Sequence, residues 1–88
     1  MTKQEALVEA TRELLRELVK NSTPSAKWIA EQVGEDRTTF THRLSGKRPS
    51  YRQLDTSFVV GILTALDVPV SDFFTQVEGR AEEILQGK

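Results

Sequence analysis

Apolar residues recur along this chain at the three- and four-residue intervals of helices, and no segment alternates as a half-buried strand would. Leu7, Ala10, Leu14 and Leu18 form the first stripe, and Val8, Leu15 and Val19 widen it beyond what one small helix usually buries. Thr2 and Glu5 have capping-box spacing, so this helix starts at Thr2. Asn21-Ser22-Thr23-Pro24 stops it, because Pro24 cannot continue the hydrogen-bond ladder. A second helix runs to about Val33, capped by either Thr23 or Ser25. Asp36 is the N-cap of a third, which ends near Leu44 before Ser45 and Gly46. Beyond the Lys47–Ser50 loop, Ser50 and Gln53 repeat the capping-box spacing and open a helix with Leu54, Phe58, Ile62 and Leu66 on one face. Gly61 inside it costs about 1 kcal/mol relative to alanine, which points to a close approach there. Val68-Pro69 closes that helix, and Ser71 with Asp72 caps a last one. In it Phe73, Val77, Ala81 and Ile84 fall at helical spacing, Phe74 and Leu85 flank them, and Gly79 is a point where it can break in two. The expectation is an all-α protein, residues 1–88 forming one compact domain of about five helices.

Residues 25–46 carry the most specific pattern. Ala30 lies four residues before Gly34, with Ile29 and Val33 beside them and Phe40 and Leu44 following. Two helices crossing at a wide angle through a short turn need a small residue at the contact, and the turn needs one free to adopt positive φ. Ala30 and Gly34 supply these, and Ile29, Val33, Phe40 and Leu44 fill the wedge between the helices. The segment reads as a helix-turn-helix, a unit suited to duplex DNA.

Charge sharpens that reading once it is divided along the chain. The formal net charge is −1, yet residues 37–52 hold Arg37, Arg43, Lys47, Arg48 and Arg52 and no acid, a local charge of +5. Residues 1–20 balance, and residues 67–88 are acidic. Attraction to phosphate is a local field that decays over about 10 Å at moderate salt, so the segment matters more than the sum. The chain has no cysteine, which excludes a disulfide framework and thiolate chemistry and fits a reducing cytoplasm. Its N-terminus alternates charged with apolar residues, unlike a signal peptide or a membrane span.

Taken together, these residues resemble the lambda-repressor-like, Cro-type family of phage and bacterial transcription regulators. Residues 25–46 align with the family's second and third helices without a gap. G-K-R-P-S, followed by A-L-D-V-P-V-S-D-F-F, looks like its fourth helix and closing turn. The resemblance covers about residues 25–75, and the first helix fits by position rather than by sequence. R-L-S-G-K-R-P with L-D-V-P-V-S-D-F-F is most similar to the version in actinobacterial phages and their hosts. Three positions depart from the family. Glu35 and Arg43 stand where it usually has apolar residues, either as partners across the inner angle of the motif or as two solvated charges. Ala26 replaces a glutamine that often touches DNA and braces the third helix, which leaves base reading to that helix alone.

The resemblance implies sequence-specific double-stranded DNA binding by a small repressor or Cro-like regulator, with the third helix in the major groove. Arg37, Thr38, Thr41 and His42 are then the base-reading candidates, since arginine can bridge guanine O6 and N7 and threonine can touch a thymine methyl. Arg43, Ser45, Lys47, Arg48 and Arg52 are the phosphate candidates. His42 reads as a hydrogen-bonding surface group rather than a titrating switch, and Trp28 as packing on the first helix or the Asn21–Pro24 loop rather than on DNA. Tyr51 either donates to a phosphate or fills its loop. Family members usually place two recognition helices on half-sites about 34 Å apart, so a homodimer is expected. The tail, residues 76–88, is its candidate dimerisation element. Phe73 and Phe74 are expected against the first helix, while Val77, Ile84 and Leu85 face a partner or fold back onto Leu15 and Val19. An enzyme is not expected, because the single histidine lies on the basic helix and no acid pair, nucleophile–base pair or glycine-rich phosphate loop occurs. Nor does any cofactor, metal, membrane or small-molecule ligand suggest itself, and the expected location is the cytoplasm, at the nucleoid. The alternative is an antitoxin or co-regulator that acts through protein–protein contacts by its acidic tail.

Overall fold

The computed structural model describes residues 1–46 and 54–87, which form five α-helices and no strand. They are α1 (Lys3–Asn21), α2 (Ala26–Gln32), α3 (Arg37–Ser45), α4 (Thr56–Ala65) and α5 (Val70–Gln86). The caps follow local chemistry. Thr2 Oγ1 accepts from the Glu5 amide at 3.1 Å, and Glu5 Oε1 accepts from the Thr2 amide at 2.8 Å. Ser25, not Thr23, caps α2 by accepting from the Trp28 amide at 3.2 Å, and Asp36 caps α3 through the Thr39 amide at 2.8 Å.

Two boundaries differ from the sequence expectation. Helix α4 starts at Thr56 rather than near Ser50, because Asp55 in extended backbone accepts from the Ser57 amide at 2.9 Å. Leu54 therefore precedes the helix, and the Ser50–Gln53 capping box lies outside the described residues. Helix α5 starts at Val70, with Pro69 at the N-cap and no side-chain cap, so Ser71 and Asp72 lie inside its first turn. It then runs unbroken through Gly79.

All five helices contribute to one core. It comprises Ala6, Ala10, Leu14 and Leu15 of α1, Ile29 and Ala30 of α2, Phe40 and Leu44 of α3, Phe58, Val59, Ile62 and Leu63 of α4, and Phe73, Val77 and Ala81 of α5. Helices α1 and α5 share the most extensive interface. At its edge Arg80 donates to Glu13 Oε1 and Glu17 Oε2, both at 2.9 Å. Helix α4 packs on α2, and the approach foreseen at Gly61 is to Val33, whose Cγ1 would lie 2.9 Å from a Cβ there. The radius of gyration, 12.7 Å, is near the roughly 12 Å expected for one domain of this length. Among the described residues no single helix is long and apolar enough to cross a membrane.

The apolar residues of α5 follow the sequence expectation in part: for Val77, Ile84 and Leu85 the alternative of packing on the chain itself holds, and Phe74 departs. Phe73 is buried, but Phe74 remains 38% exposed. Val77 is buried in the chain's own core, and Ile84 and Leu85 pack half-buried against it. Val77 shares the inward stripe of Phe73 and Ala81 and is 2% exposed.

Candidate nucleic-acid interface

The α2–α3 unit is built from its turn outward. Gly34 adopts φ +77°, and its amide reaches the Glu31 carbonyl at 3.1 Å while the Glu35 amide reaches that of Ala30 at 2.9 Å. This paired bonding is the Schellman arrangement, and it satisfies the last carbonyls of α2 while turning the chain sharply. The residue after the turn glycine usually makes an apolar contact back onto the helix. Here it is Glu35, and it pairs instead with Arg43: Nε lies 3.2 Å from Oε1. The pairing alternative for these two charges therefore holds in the structure. Arg43 also stacks over Phe58 of α4, with Cζ 5.5 Å from the ring centroid.

On the opposite side of α3, Arg37, Thr38 and Thr41 are exposed, and His42 and Ser45 are half-buried. Phe40 and Leu44 anchor the inner side, and Phe40 meets the Phe58 ring at 5.5 Å. The two acids preceding α3 are both engaged. Asp36 receives the Thr39 amide and hydroxyl, which hold its carboxyl below the usual aspartate value, with a smaller contribution from the charge of His42. Glu35 faces Arg43. The exposed side of α3 thus carries hydroxyls and a guanidinium without a carboxylate of its own.

At the far end, Gly46 closes α3 with φ +62°, its amide donating to the His42 carbonyl at 3.0 Å. The Ser45 hydroxyl donates to the same carbonyl at 3.1 Å. The guanidinium of Arg12 lies against this end so closely that a Cβ on Gly46 would stand 2.6 Å from its Cζ. A cation there complements the negative end of the helix dipole. Burial, and then the charge of Arg16, push the Arg12 guanidinium below its ordinary pKa. Charge counting along the chain had set Arg12 against the neighbouring glutamates and so overlooked it. The helical wheel was the available signal, since it separates Arg12 and Arg16 from Glu13 and Glu17, and Arg80 engages those glutamates.

Of the phosphate candidates, Arg43 is drawn toward Glu35 and Phe58, Ser45 sits at the α3 terminus, and Lys47, Arg48 and Arg52 lie outside the described residues, as does Tyr51. Trp28 is 40% exposed on α2, beside exposed Lys27, and lies outside the core. Its wheel position explains this, since Ile29, Ala30 and Val33 occupy the inward side of a helix only seven residues long. No cluster of three or more metal-ligating side chains occurs among the described residues. No protein-family model, curated protein or solved structure matches the chain.

Proposed function

We propose that this protein is a sequence-specific double-stranded DNA-binding transcription regulator that acts in the cytoplasm at the nucleoid, with α2 and α3 as its helix-turn-helix. The observation that carries this reading is the exposed side of α3: Arg37, Thr38 and Thr41 point outward, while Asp36 is taken up by capping the helix through Thr39 and Glu35 by facing Arg43. Such a surface suits the donors, acceptors and methyl groups of the major groove. Lys47, Arg48 and Arg52, next in sequence, supply charge for phosphates. A homodimer is part of the proposal. The extents of 36 × 29 × 20 Å are compatible with two copies side by side spanning half-sites about 34 Å apart.

Binding by the full chain to a selected operator and to a scrambled duplex, at several salt concentrations, tests this. Each neutralised phosphate contributes a slope of about −0.9 in log K against log salt. Alanine at Arg37, Thr38, Thr41 or His42 should cost roughly 1–3 kcal/mol on the operator and relax preference at one or two positions. Alanine at Lys47, Arg48 or Arg52 should weaken both duplexes alike and reduce the slope by about one each. Binding that stays flat across a tenfold salt range removes the reading.

A further inference from the structure

We propose that Glu35 and Arg43 are positioning residues for α3: they fix its rotation about its own axis and so decide which side chains it presents. The inference rests on the DNA-binding reading only for what that rotation accomplishes. Of the nine residues of α3, two are buried, Phe40 and Leu44. They are four apart, so they lie within about 40° of each other around the axis and form nearly one line along the helix. Burial along one line resists a roll about the helix axis less than burial across a broad face, and the Asp36 cap and the Arg12 contact hold α3 at its two ends. An anchor off that line in the middle of the unit adds resistance to the roll.

Arg43 is that anchor. It projects about 60° to one side of Phe40 and about 100° from Leu44. From there it reaches both neighbours: Glu35 in the α2–α3 turn, at 3.2 Å, and the Phe58 ring on α4, 5.5 Å from its Cζ. Phe58 is itself buried against Phe40, so one cluster joins the turn, α3 and α4.

The chemistry of the pair is poor for stability. The side chains of Arg43 and Glu35 are only 33% and 17% exposed, yet the Nε–H is not aimed at the carboxylate, and Glu35 Oε2 is enclosed without a hydrogen bond. Arg80 shows the contrast, with 2.9 Å hydrogen bonds to two glutamates that are both more exposed than Glu35. Removing charges from water without full compensation is costly, and well-packed apolar side chains of similar size often serve stability as well or better. What apolar side chains lack is direction, because hydrophobic contact is insensitive to angle. Arg43 supplies it by position, since one side chain meets the turn on one side and an aromatic ring on the other only at one rotation of α3.

The experiment compares the wild-type chain with Glu35→Leu/Arg43→Leu and with Glu35→Gln. Residual dipolar couplings of α3 amides, fitted against α1 and α5, report the orientation of α3 without DNA. The leucine pair should unfold at the same temperature or higher, while its α3 couplings depart from the wild-type orientation. Its discrimination between operator and scrambled duplex should fall roughly tenfold, the loss of about one base contact, with the salt slope unchanged. Glu35→Gln keeps the shape and should move both readouts in the same direction by less, and it decides the matter if the leucine pair does not fold. Arg43→Lys, which retains a cation facing Glu35, should recover part of the wild-type orientation. Unchanged couplings in a folded variant overturn the proposal. So does a salt slope reduced by one with discrimination intact, which would make Arg43 a phosphate anchor. If the wild-type chain bound no duplex, the functional reading would fall, and the couplings would still decide whether the pair orients α3.

Discussion

Two glycines inside helices show how far a single residue can be understood from its surroundings. Gly61 and Gly79 each interrupt a helical run, and each carries the same intrinsic penalty of about 1 kcal/mol relative to alanine. At Gly79 nothing lies within 4 Å of an added Cβ, whereas at Gly61 the Val33 Cγ1 would stand at 2.9 Å. Gly79→Ala should therefore raise stability by about 0.5–1 kcal/mol. Gly61→Ala should give no gain or a net loss, because Val33 is β-branched and stiff, and overpacking costs about 1–3 kcal/mol. Urea unfolding midpoints measure both, and equal effects at the two sites would contradict the packing described for α2 and α4. The sequence revealed that Gly61 needed a neighbour but not which one, since Val33 is twenty-eight positions away and reaches it only through the fold. Glu35 and Arg43 were similarly visible as two charges at positions that ask for apolar side chains. Their meeting depends on the sharp turn at Gly34 and on Phe58 arriving from α4.

Element boundaries were legible where a side chain caps its own helix. Thr2, Ser25 and Asp36 each precede a periodic run and bond the amide three residues on. Helix α4 escaped because Ser50 and Gln53 imitate a capping box upstream of the Asp55 that does the capping. Helix α5 begins at a proline, which has no side-chain acceptor to mark the start. How elements attach to one another is harder to read, as the α1–α5 clasp shows. Arg80 holds the Glu17 carboxyl below the ordinary glutamate value, chiefly by hydrogen bonding, and is itself raised by Glu17 and then Glu13. A carboxyl depressed in the folded state stabilises it fully above its unfolded pKa and loses that contribution as pH falls through the folded one. Thermal stability should therefore decline as pH drops below about 4.5, with Glu5 and Asp36 adding to the loss through their caps. Arg80→Met removes the clasp and should lower stability at neutral pH while flattening this acid dependence. If the acid dependence of that variant is unchanged, the caps alone account for it.

At the scale of the whole molecule, the sequence offered the apolar side chains of the tail to a partner or to the chain's own core, and a helical wheel alone does not say which of them the core takes. The structure buries Val77 and leaves Phe74 outward, where it lines a groove of about 290 Å³ together with Val8 of α1 and Val60 of α4, with Leu7, Leu54, Val59 and Val77 at its floor and sides. Val8, one of the three residues that widen the first stripe, belongs to this surface. The proposed dimer is therefore predicted to use the α1–α4–α5 groove in place of the outer face of residues 76–88. A two-fold contact there is self-complementary, so one substitution alters both halves of the interface. Sedimentation of the full chain should give a dimer that Phe74→Arg or Val60→Glu converts to a monomer without loss of helix content. Leu85→Ser should leave the dimer intact. Operator binding by the Phe74→Arg monomer should weaken sharply on a site with two half-sites and remain close to that of the wild-type monomer on one half-site. A wild-type chain that stays monomeric at high micromolar concentration, with and without operator, removes the dimer from the proposal and leaves α3 to read a single short site.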